Sequence, residues 1–484
     1  MLRIASRLLL GGILGKCLGI LREVLIALYY GTGLSAAAFR AAQAAVLIPI
    51  NLLASESLTG TFVPTASRLW RTNQKDACAL VWAVLLSMVL SAIILSGLLF
   101  FGAAIWVRAL VPGFNEEVQS LTVSIIKVIV CGVPFYVLGT VLACIELSRG
   151  SGLTLASRTA ALNSGIILGT VYSYYANDIH FVAWGFVIGC VMFCVIGVTR
   201  LERGVVVFHS VLVTAPWLAR FIRAFLPLFP IPFFVQGMLT VERGVASSVS
   251  ASAVAALDYA RTIADTAMLF LATPVGLALL PSGERNLSDS GKNNIRVVVR
   301  GLTILTVPFS GFLYLHAEQI VSILYQRGAF DWDAVQETAA ILEGTAIGLW
   351  AHVGGYVLLK FLNSTNRNNH VLWIMLAGVI TSVAINLMLY EQLGPFVLGL
   401  SMTGYALVIF AWSAWTVGVL GEMVRLAAIL GLGVGILVLL NRIVTDWTLG
   451  ASVLVTVVFW VCVAMTVPTL RNDILGWMRR IKKT

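Results

Sequence analysis

Two charged residues, Arg22 and Glu23, stand side by side in an otherwise apolar run, LGILREVLIALYYG at residues 18–31. A charged side chain at the centre of a bilayer costs at least about 2.5–3.5 kcal/mol, so buried charges are expected to face a wet cavity or one another. Neighbours in sequence point about 100° apart on a helix, which makes a direct Arg22–Glu23 pair awkward, although an arginine is long enough to bend toward a partner. Both arrangements remain open at this point.

Six of the 32 basic residues fall within the predicted membrane spans or at their outer ends, and they are Lys16, Arg22, Arg40, Lys127, Arg243 and Arg261. An excess of arginine suits an anionic ligand, because guanidinium forms bidentate hydrogen bonds with phosphate and never loses its charge. We therefore predict a cationic cavity lined by Lys16, Arg22, Glu23, Arg243 and Arg261, with Arg40 nearer its outer mouth.

Acidic residues also occur within or at the ends of the predicted spans, and they are Glu56, Glu242, Asp258, Asp265 and Glu343. Any of them could carry a coupling proton or cation, or balance the charge of an arginine. The five histidines and seven cysteines show no metal-ligand spacing, and there is no GxxxxGK[ST] phosphate loop. The sequence therefore predicts no catalytic residue, no metal, no cofactor and no ATP hydrolysis.

The composition indicates which elements must position these charges. Hydrophobic residues make up 59% of the 484 and charged residues only 11%, whereas a soluble domain carries about 25% charged residues. With a mean hydropathy of +0.95, the chain is predicted to be an all-α polytopic membrane protein. The net charge of +10 does not indicate nucleic-acid binding, because the basic residues are spread over loops and no hydrophilic module carries them.

Apolar runs separated by polar breaks predict fourteen spans, near 5–30, 36–64, 78–107, 120–146, 153–175, 180–199, 217–242, 252–281, 298–325, 336–361, 370–391, 396–420, 424–441 and 447–469. The first apolar run lacks a cleavage site and is expected to remain as the first span. Alternate loops carry 23 basic residues against 3 on the opposite side. By the positive-inside rule, both termini are predicted to be cytoplasmic.

An internal repeat links two parts of the chain. Each part has an arginine beside an acid, a turn of small residues, an aromatic residue and a later proline. The matched positions are Arg22 with Arg243, Phe39 with Tyr259, and Pro64 with Pro281, at offsets of 221, 220 and 217. Because each repeat holds six spans, both have the same orientation, and transporters bind substrates between such halves.

The repeat predicts the domain organisation. A six-helix lobe is expected at residues 1–203 and a parallel one at 204–421. Two additional transmembrane helices follow at 422–470, and a basic cytoplasmic tail occupies 471–484.

Several motifs together resemble those of the MurJ/MviN flippases, which belong to the multidrug/oligosaccharidyl-lipid/polysaccharide (MOP) exporter superfamily. They are LGILREVLIALYYGTG followed by AAAF and FVP, then VERGVASSVSASAVAALDYARTI, PVGLALLPS and LYQRGAFD. The resemblance implies an ATP-independent flippase for lipid-linked sugars. It also implies that two six-helix lobes enclose a cationic cavity for the diphosphate and sugar, and that the last two helices add a groove for the polyprenyl tail.

The chain departs from the family pattern at four places. Lys16 stands where peptidoglycan flippases tend to carry arginine, and Ala37 replaces an expected aspartate. The segment VLIPINLLASES lacks the usual paired arginines, and Arg261 lies one place before the position, Thr262, where an arginine is expected. These departures favour an undecaprenyl-diphosphate-linked exopolysaccharide or surface-polysaccharide unit as the substrate. The alternative substrate is lipid II, the peptidoglycan precursor.

Two hypotheses of other classes remain. A cation-coupled multidrug exporter could share this architecture, but the surplus of buried basic residues disfavours a pocket for cationic drugs. A membrane scaffold for a glycan-assembly complex would tolerate loss of Arg22.

The resemblance also implies a setting for the flippase. The protein is expected in the bacterial cytoplasmic (inner) membrane, in contact with membrane lipid and a polyprenyl-diphosphate-linked saccharide. Glycan-assembly glycosyltransferases or a polymerase are possible partners. Transport would be coupled to the membrane potential, a proton or sodium.

Overall fold

The computed structural model describes residues 2–54, 56–202, 205–206, 211–226, 229–279, 289–365, 367–443, 455–456, 458–460 and 463. This part of the chain is almost entirely helical and contains no β-strand. Its helices are α1 (Leu2–Tyr30), α2 (Leu34–Leu53), α3 (Glu56–Thr72), α4 (Gln74–Phe101), α5 (Ala103–Leu110), α6 (Glu116–Ile129), α7 (Val133–Ser148), α8 (Leu153–Ala176), α9 (His180–Thr199), α10 (Val211–Phe225), α11 (Pro230–Val249), α12 (Ala251–Leu279), α13 (Asp289–Leu315), α14 (Ala317–Tyr325), α15 (Trp332–Ser364), α16 (Asn368–Leu393), α17 (Phe396–Val417) and α18 (Leu420–Ile443).

The helices have the length and composition of membrane spans. Over the described ranges, nine helical segments are long and apolar enough to cross a bilayer. An all-α polytopic membrane protein is therefore confirmed. The count of fourteen stays a prediction, because most of the fourteenth span (447–469) and the basic tail (471–484) lie outside the described residues.

Several predicted spans are divided in the structure. The span predicted at 36–64 consists of α2 and α3, which meet at Ala54, where the backbone leaves helical geometry (φ −106°, ψ 37°). The span at 78–107 consists of α4 and α5, which meet at Gly102. Between α6 and α7 the chain forms one 3₁₀ turn, Val130–Gly132. Hydropathy alone does not show the break at Gly102, because the residues on both sides are apolar, whereas polar residues follow the break at Ala54.

The chain groups into two compact units. The first contains residues 1–258 and 325–334, and the second contains 259–324 and 335–484. This grouping follows spatial contacts and not the sequence repeat. The lobes at 1–203 and 204–421 therefore stay a prediction.

Close glycine contacts bring α8 and α9 together in the first unit. Gly165 and Gly169 of α8 face Gly185 and Gly189 of α9, each pair spaced four residues apart. A Cβ on Gly165 would lie 2.4 Å from the Gly185 carbonyl oxygen. Small residues at this spacing allow helix backbones to approach closely in a membrane, where packing replaces the hydrophobic effect.

Close glycine contacts also join α1 to α8. A Cβ on Gly11 would lie 2.5 Å from the Ala156 carbonyl oxygen, and one on Gly15 would lie 2.8 Å from the Thr159 Cβ. Helices α1, α8 and α9 therefore form one tightly packed layer.

The second unit uses similar contacts. A Cβ on Gly344 of α15 would lie 2.5 Å from the Phe396 carbonyl oxygen at the start of α17. Val307 of α13 packs in an apolar cluster with Leu426 and Leu430 of α18. This cluster anchors α18, the first of the two predicted additional helices, within the second unit.

A proline in α2 leaves one backbone carbonyl without its helical donor, and a side chain from another helix supplies the donor. Pro49 has no N–H, so it cannot donate to the Ala45 carbonyl four residues earlier. The Trp106 indole of α5 donates to this oxygen instead, with an N–O distance of 2.8 Å. Because Ala45 is fully buried, the carbonyl would otherwise lack a partner in an apolar environment.

Replacing Trp106 with phenylalanine should lower the thermal stability of the purified protein. A buried acceptor left without a donor costs about 1–3 kcal/mol. In a Pro49→Ala background the helix supplies its own donor to Ala45, so Trp106→Phe should then have a much smaller effect. Thermal unfolding in detergent measures both changes, and Trp415→Phe, at an exposed indole on α17, is the matched control. An equal loss in both backgrounds would contradict the assignment of this bond.

Candidate functional site

Five charged side chains meet in the first unit and form a continuous series of alternating charges. Helix α1 supplies Arg22 and Glu23, α2 supplies Arg40, α11 supplies Arg243 and α12 supplies Asp258. We call these five residues the charge chain. Two pairs of consecutive helices that are distant from each other in sequence, α1–α2 and α11–α12, therefore converge on one polar cluster within apolar surroundings.

Glu23 is the centre of one half of the charge chain. Its side chain is fully buried. Its Oε1 accepts hydrogen bonds from Arg22 Nε at 3.0 Å and from Arg40 Nη1 at 3.2 Å, and its Oε2 pairs with Arg40 Nη2. Of the arrangements that the sequence left open, the direct Arg22–Glu23 pair is present, because the long guanidinium side chain turns back to reach the adjacent carboxylate.

Asp258 is the centre of the other half. Its Oδ1 pairs with Arg243 Nη2, and its Oδ2 lies 3.9 Å from Arg40 Nε. Arg243 also donates through Nη1 to the Val254 carbonyl at 2.9 Å, one turn before Asp258 on α12. Arg40 therefore connects both carboxylates, and Arg243 holds α11 against α12.

The five residues of the charge chain together carry a net positive charge, and Arg22 is the most exposed of its three arginines. Three arginines face two carboxylates, which leaves an excess of one positive charge. Arg40 and Arg243 have only 2% and 8% of their side-chain surface exposed, whereas Arg22 has 20%. An incoming anion would therefore meet Arg22 first, and Arg22 is the member best placed to bind it.

Asn163 of α8 orients Arg22 and was not predicted from the sequence. Arg22 Nη1 donates to Asn163 Oδ1 at 2.9 Å, while Asn163 Nδ2 donates to the Gly15 carbonyl at 2.9 Å. The amide is thus fixed by α1 and in turn fixes the guanidinium. A single amide side chain in the segment TAALNSGIILG was the available signal, and an uncharged residue does not stand out there as a charged one would.

The other predicted residues occupy further positions on α1, α11 and α12 or lie outside the described side chains. Lys16 is half-buried on α1, and Glu242 is buried on α11 beside Arg243. Arg261 is half-buried and Asp265 exposed on α12 within the second unit, one turn apart. Glu56 begins α3, and its side chain lies outside the described part.

Two further charged residues that the sequence placed in or near spans are not members of the charge chain. Lys127 is exposed on α6 and lies over the Phe100 ring at 5.6 Å, and Glu343 is half-buried on α15. Among the residues that the structure describes, no group of three His, Cys, Asp or Glu side chains could hold a metal ion. The arrangement around Arg22 is suited to binding an anion and includes no nucleophile activated by a base.

Comparisons with known proteins agree on one family and fold. A family model described as "Lipid II flippase MurJ" matches residues 26–466. A curated protein from Synechocystis sp., named probable lipid II flippase MurJ, is 23% identical over 454 residues, covering 84% of this chain and 80% of that protein. A solved structure of lipid II flippase MurJ in an inward closed conformation has a TM-score of 0.80 and 16% identity, covering 94% of this chain and 97% of that one.

A second solved structure shows that the fold is shared more widely. An inward-facing multidrug resistance MATE family transporter of the MOP superfamily has a TM-score of 0.66 and 14% identity, covering 84% of this chain and 96% of that one. The expected relation to the MOP superfamily is therefore confirmed at the level of the fold.

Removing Arg40 should destabilise the protein more than removing Arg22. Arg40→Met leaves Glu23 and Asp258 without their shared cation, and removing one partner of a buried ion pair costs about 3–5 kcal/mol. Arg22→Met should cost clearly less, because Arg22 is partly exposed and Glu23 keeps Arg40. Thermal unfolding in detergent gives the order of the two variants.

A double-mutant cycle tests whether the lost pairing with Glu23 causes the destabilisation expected for Arg40→Met. In a Glu23→Gln background the cost of Arg40→Met should fall by about 1 kcal/mol or more, as expected for contacting residues. Equal midpoints for Arg40→Met and Arg22→Met, or purely additive effects with Glu23→Gln, would contradict the described pairing.

Proposed function

Because this chain belongs to the lipid II flippase MurJ family, we propose that it moves a polyprenyl-diphosphate-linked glycan precursor across the bacterial cytoplasmic membrane, with lipid II as the substrate. The observation that carries this proposal is the partly exposed Arg22, held by Asn163 at the most exposed end of a buried charge chain. The family consists of transporters, and the chain is accordingly a transporter and not an enzyme.

Diphosphate recognition follows from the chemistry of Arg22. Its guanidinium remains charged at every physiological pH and offers planar hydrogen-bond donors that match phosphate oxygens. Arg22 Nη1 and Nε already bond to Asn163 and Glu23, so the side chain is oriented before the ligand arrives. Preorganisation of this kind lowers the entropic cost of binding. Lys16, Arg243 and Arg261 remain proposed contributors to the cationic surface.

The named relatives favour lipid II over an exopolysaccharide unit. The departures at Ala37 and in VLIPINLLASES had favoured another undecaprenyl-linked glycan. The curated relatives, however, are named lipid II flippase MurJ or probable lipid II flippase MurJ. Transport of a different lipid-linked glycan is the second candidate, and the missing arginines of residues 46–57 are the observation that supports it.

The remaining features of the transport cycle are proposals of the same kind. Alternating access of lobes 1–203 and 204–421 would carry the headgroup across, and residues 422–470 would provide the groove for the polyprenyl tail. Glu56, Glu242, Asp258 and Asp265 are candidates for charge balance or for coupling to a proton or sodium gradient or to the membrane potential. The cytoplasmic location of both termini and an association with glycosyltransferases or a polymerase also remain proposals.

A drug exporter is less well supported than a flippase. The MATE transporter shares the fold, but at this identity a shared fold does not extend to the ligand. Three arginines against two carboxylates leave the charge chain positive, and a positive site repels cationic drugs. Drug-resistance assays in a susceptible host separate the two functions.

Expression of this protein should rescue cells depleted of their own lipid II flippase. Rescue would show that lipid II is transported and that the missing arginines are dispensable. Failure by a protein that is well expressed and inserted would instead indicate another lipid-linked glycan. That result would be followed by a search for the polysaccharide lost on deletion of the gene.

Reversing the charge of Arg22 should abolish rescue while leaving insertion intact. Arg22→Glu places a carboxylate beside Glu23 and repels a diphosphate, whereas Arg22→Lys keeps the charge but loses the bidentate geometry and should retain partial activity. Arg108→Glu, at an exposed arginine on α5, is the matched control and should rescue normally. Normal rescue by Arg22→Glu would refute the assigned role of Arg22 in transport.

A further inference from the structure

Two loops in the first unit have related sequences and similar structures. One is VPGFN at residues 111–115, between α5 and α6, and the other is RGAFD at 327–331, between α14 and α15. Each has a glycine followed closely by a phenylalanine that is almost fully buried, Phe114 and Phe330. Each then has a residue that caps the next helix: Asn115 accepts from the Val118 N–H and Asp331 from the Ala334 N–H.

The RGAFD loop is fitted against the end of α1. The Ala329 N–H donates to the Leu28 carbonyl at 2.9 Å. Gly31 and Gly328 both have positive φ, +56° and +59°, and face this contact from its two sides. A Cβ on Gly31 would lie 2.2 Å from the Ala329 carbonyl oxygen, and one on Gly328 would lie 2.3 Å from the Leu28 oxygen. The two backbones therefore touch at a distance that only glycine permits.

The VPGFN loop is fitted in the same way against the end of α11. The Gly113 N–H donates to Ser247 Oγ at 3.2 Å. A Cβ on Gly113 would lie only 2.1 Å from the Ser247 carbonyl oxygen. Gly244, one turn earlier on α11, lies near the Leu110 carbonyl, where a Cβ would make an ordinary contact at 3.5 Å.

The two contacts correspond to each other under the internal repeat. Helices α1 and α11 carry the matched residues Arg22 and Arg243. Gly113 and Gly328 are separated by 215 residues, close to the repeat offsets of 217–221. In each case the loop belongs to one predicted repeat and the helix that it contacts belongs to the other, so the two contacts are reciprocal.

We propose that the two loops are a pair of reciprocal latches that hold α1 and α11 at the predicted outer face and must open before that face admits or releases a ligand. The loop charges predict that both loops are on the outer side. The gripped helices carry the two ends of the charge chain, so the latches act on the elements that present it. Each latch includes close backbone contact and a hydrogen bond, which makes it specific in position.

Cysteine accessibility measures latch opening directly in the full-length protein. Ala37 and Ala253 follow the gripped ends of α1 and α11 and are fully buried. Each is replaced with cysteine, one at a time, in a background whose native cysteines are changed to alanine. The rate of labelling by a membrane-impermeant maleimide is then measured in cells or right-side-out vesicles. This readout needs no substrate, so its failure is distinguishable from failure of the proposed flippase activity.

Alanine at the latch glycines should raise the labelling rate. Gly113→Ala should increase labelling of Ala253→Cys, and Gly328→Ala should increase labelling of Ala37→Cys. Loss of one hydrogen bond and its contact corresponds to about a fivefold or greater increase in the opened population. Ser247→Ala removes the acceptor of the Gly113 N–H, together with the hydroxyl's own hydrogen bond to the Gly244 carbonyl within α11. It should act in the same direction by a smaller factor.

Two controls match these substitutions. Gly394→Ala introduces a side chain at a positive φ of +53° in another predicted outer loop, where nothing lies within 4 Å. Gly244→Ala adds a methyl group beside the same latch at an ordinary contact distance. Neither should change the labelling rate.

Unchanged labelling in all three latch variants would overturn the proposal. So would an equal increase in the Gly394→Ala control, because the effect would then come from backbone strain and not from the latch. If the glycine variants fail to insert, Ser247→Ala decides the matter, since it deletes one hydroxyl group and introduces no clash.

Discussion

The arrangement of the first unit depends on the burial of one carboxylate, Glu23, between two guanidinium groups. An isolated buried charge is strongly unfavourable, so Glu23 requires Arg40 as a partner. Arg40 in turn pairs with Asp258, and Asp258 pairs with Arg243. Each partner belongs to a different helix, and the requirement for neutrality therefore specifies which helices must meet. Of the three guanidinium groups, that of Arg22 is the one on the partly exposed side.

The charged members of this site could be predicted because they violate the composition around them. Arg22, Glu23 and Arg40 stand in apolar helices, where a charge has a high energetic cost and therefore indicates a role. Their pairing could not be predicted, because it depends on how α1, α2 and α12 pack. Asn163 was missed for a related reason: an uncharged amide has a much smaller cost in a helix, and only the structure shows that it touches Arg22.

The fold was predictable in class and less so in detail. Hydropathy indicated a polytopic helical protein, and the matched motifs indicated its family. The break at Gly102 was not visible, because it interrupts an apolar run. The break at Ala54 is followed by polar residues, but a few polar residues do not distinguish a helix break from the polar end of a long span. The repeat was visible in the residues of the charge chain but not in the loops, since VPGFN and RGAFD differ by one residue between the glycine and the phenylalanine. Their equivalence is clear only from what each loop contacts.

The glycine contacts of α1, α8 and α9 have a mechanical consequence. Helices that touch backbone to backbone, with no long side chains between them, have little freedom to slide or rotate past one another. These three helices should therefore behave as a single stiff lever. Arg22 is carried by α1 and its amide partner Asn163 by α8, so both are on the same lever arm. If these helices rotate together during transport, the Arg22 guanidinium and the Asn163 amide would move together. The orientation of the guanidinium relative to its own helices would then stay the same throughout the movement.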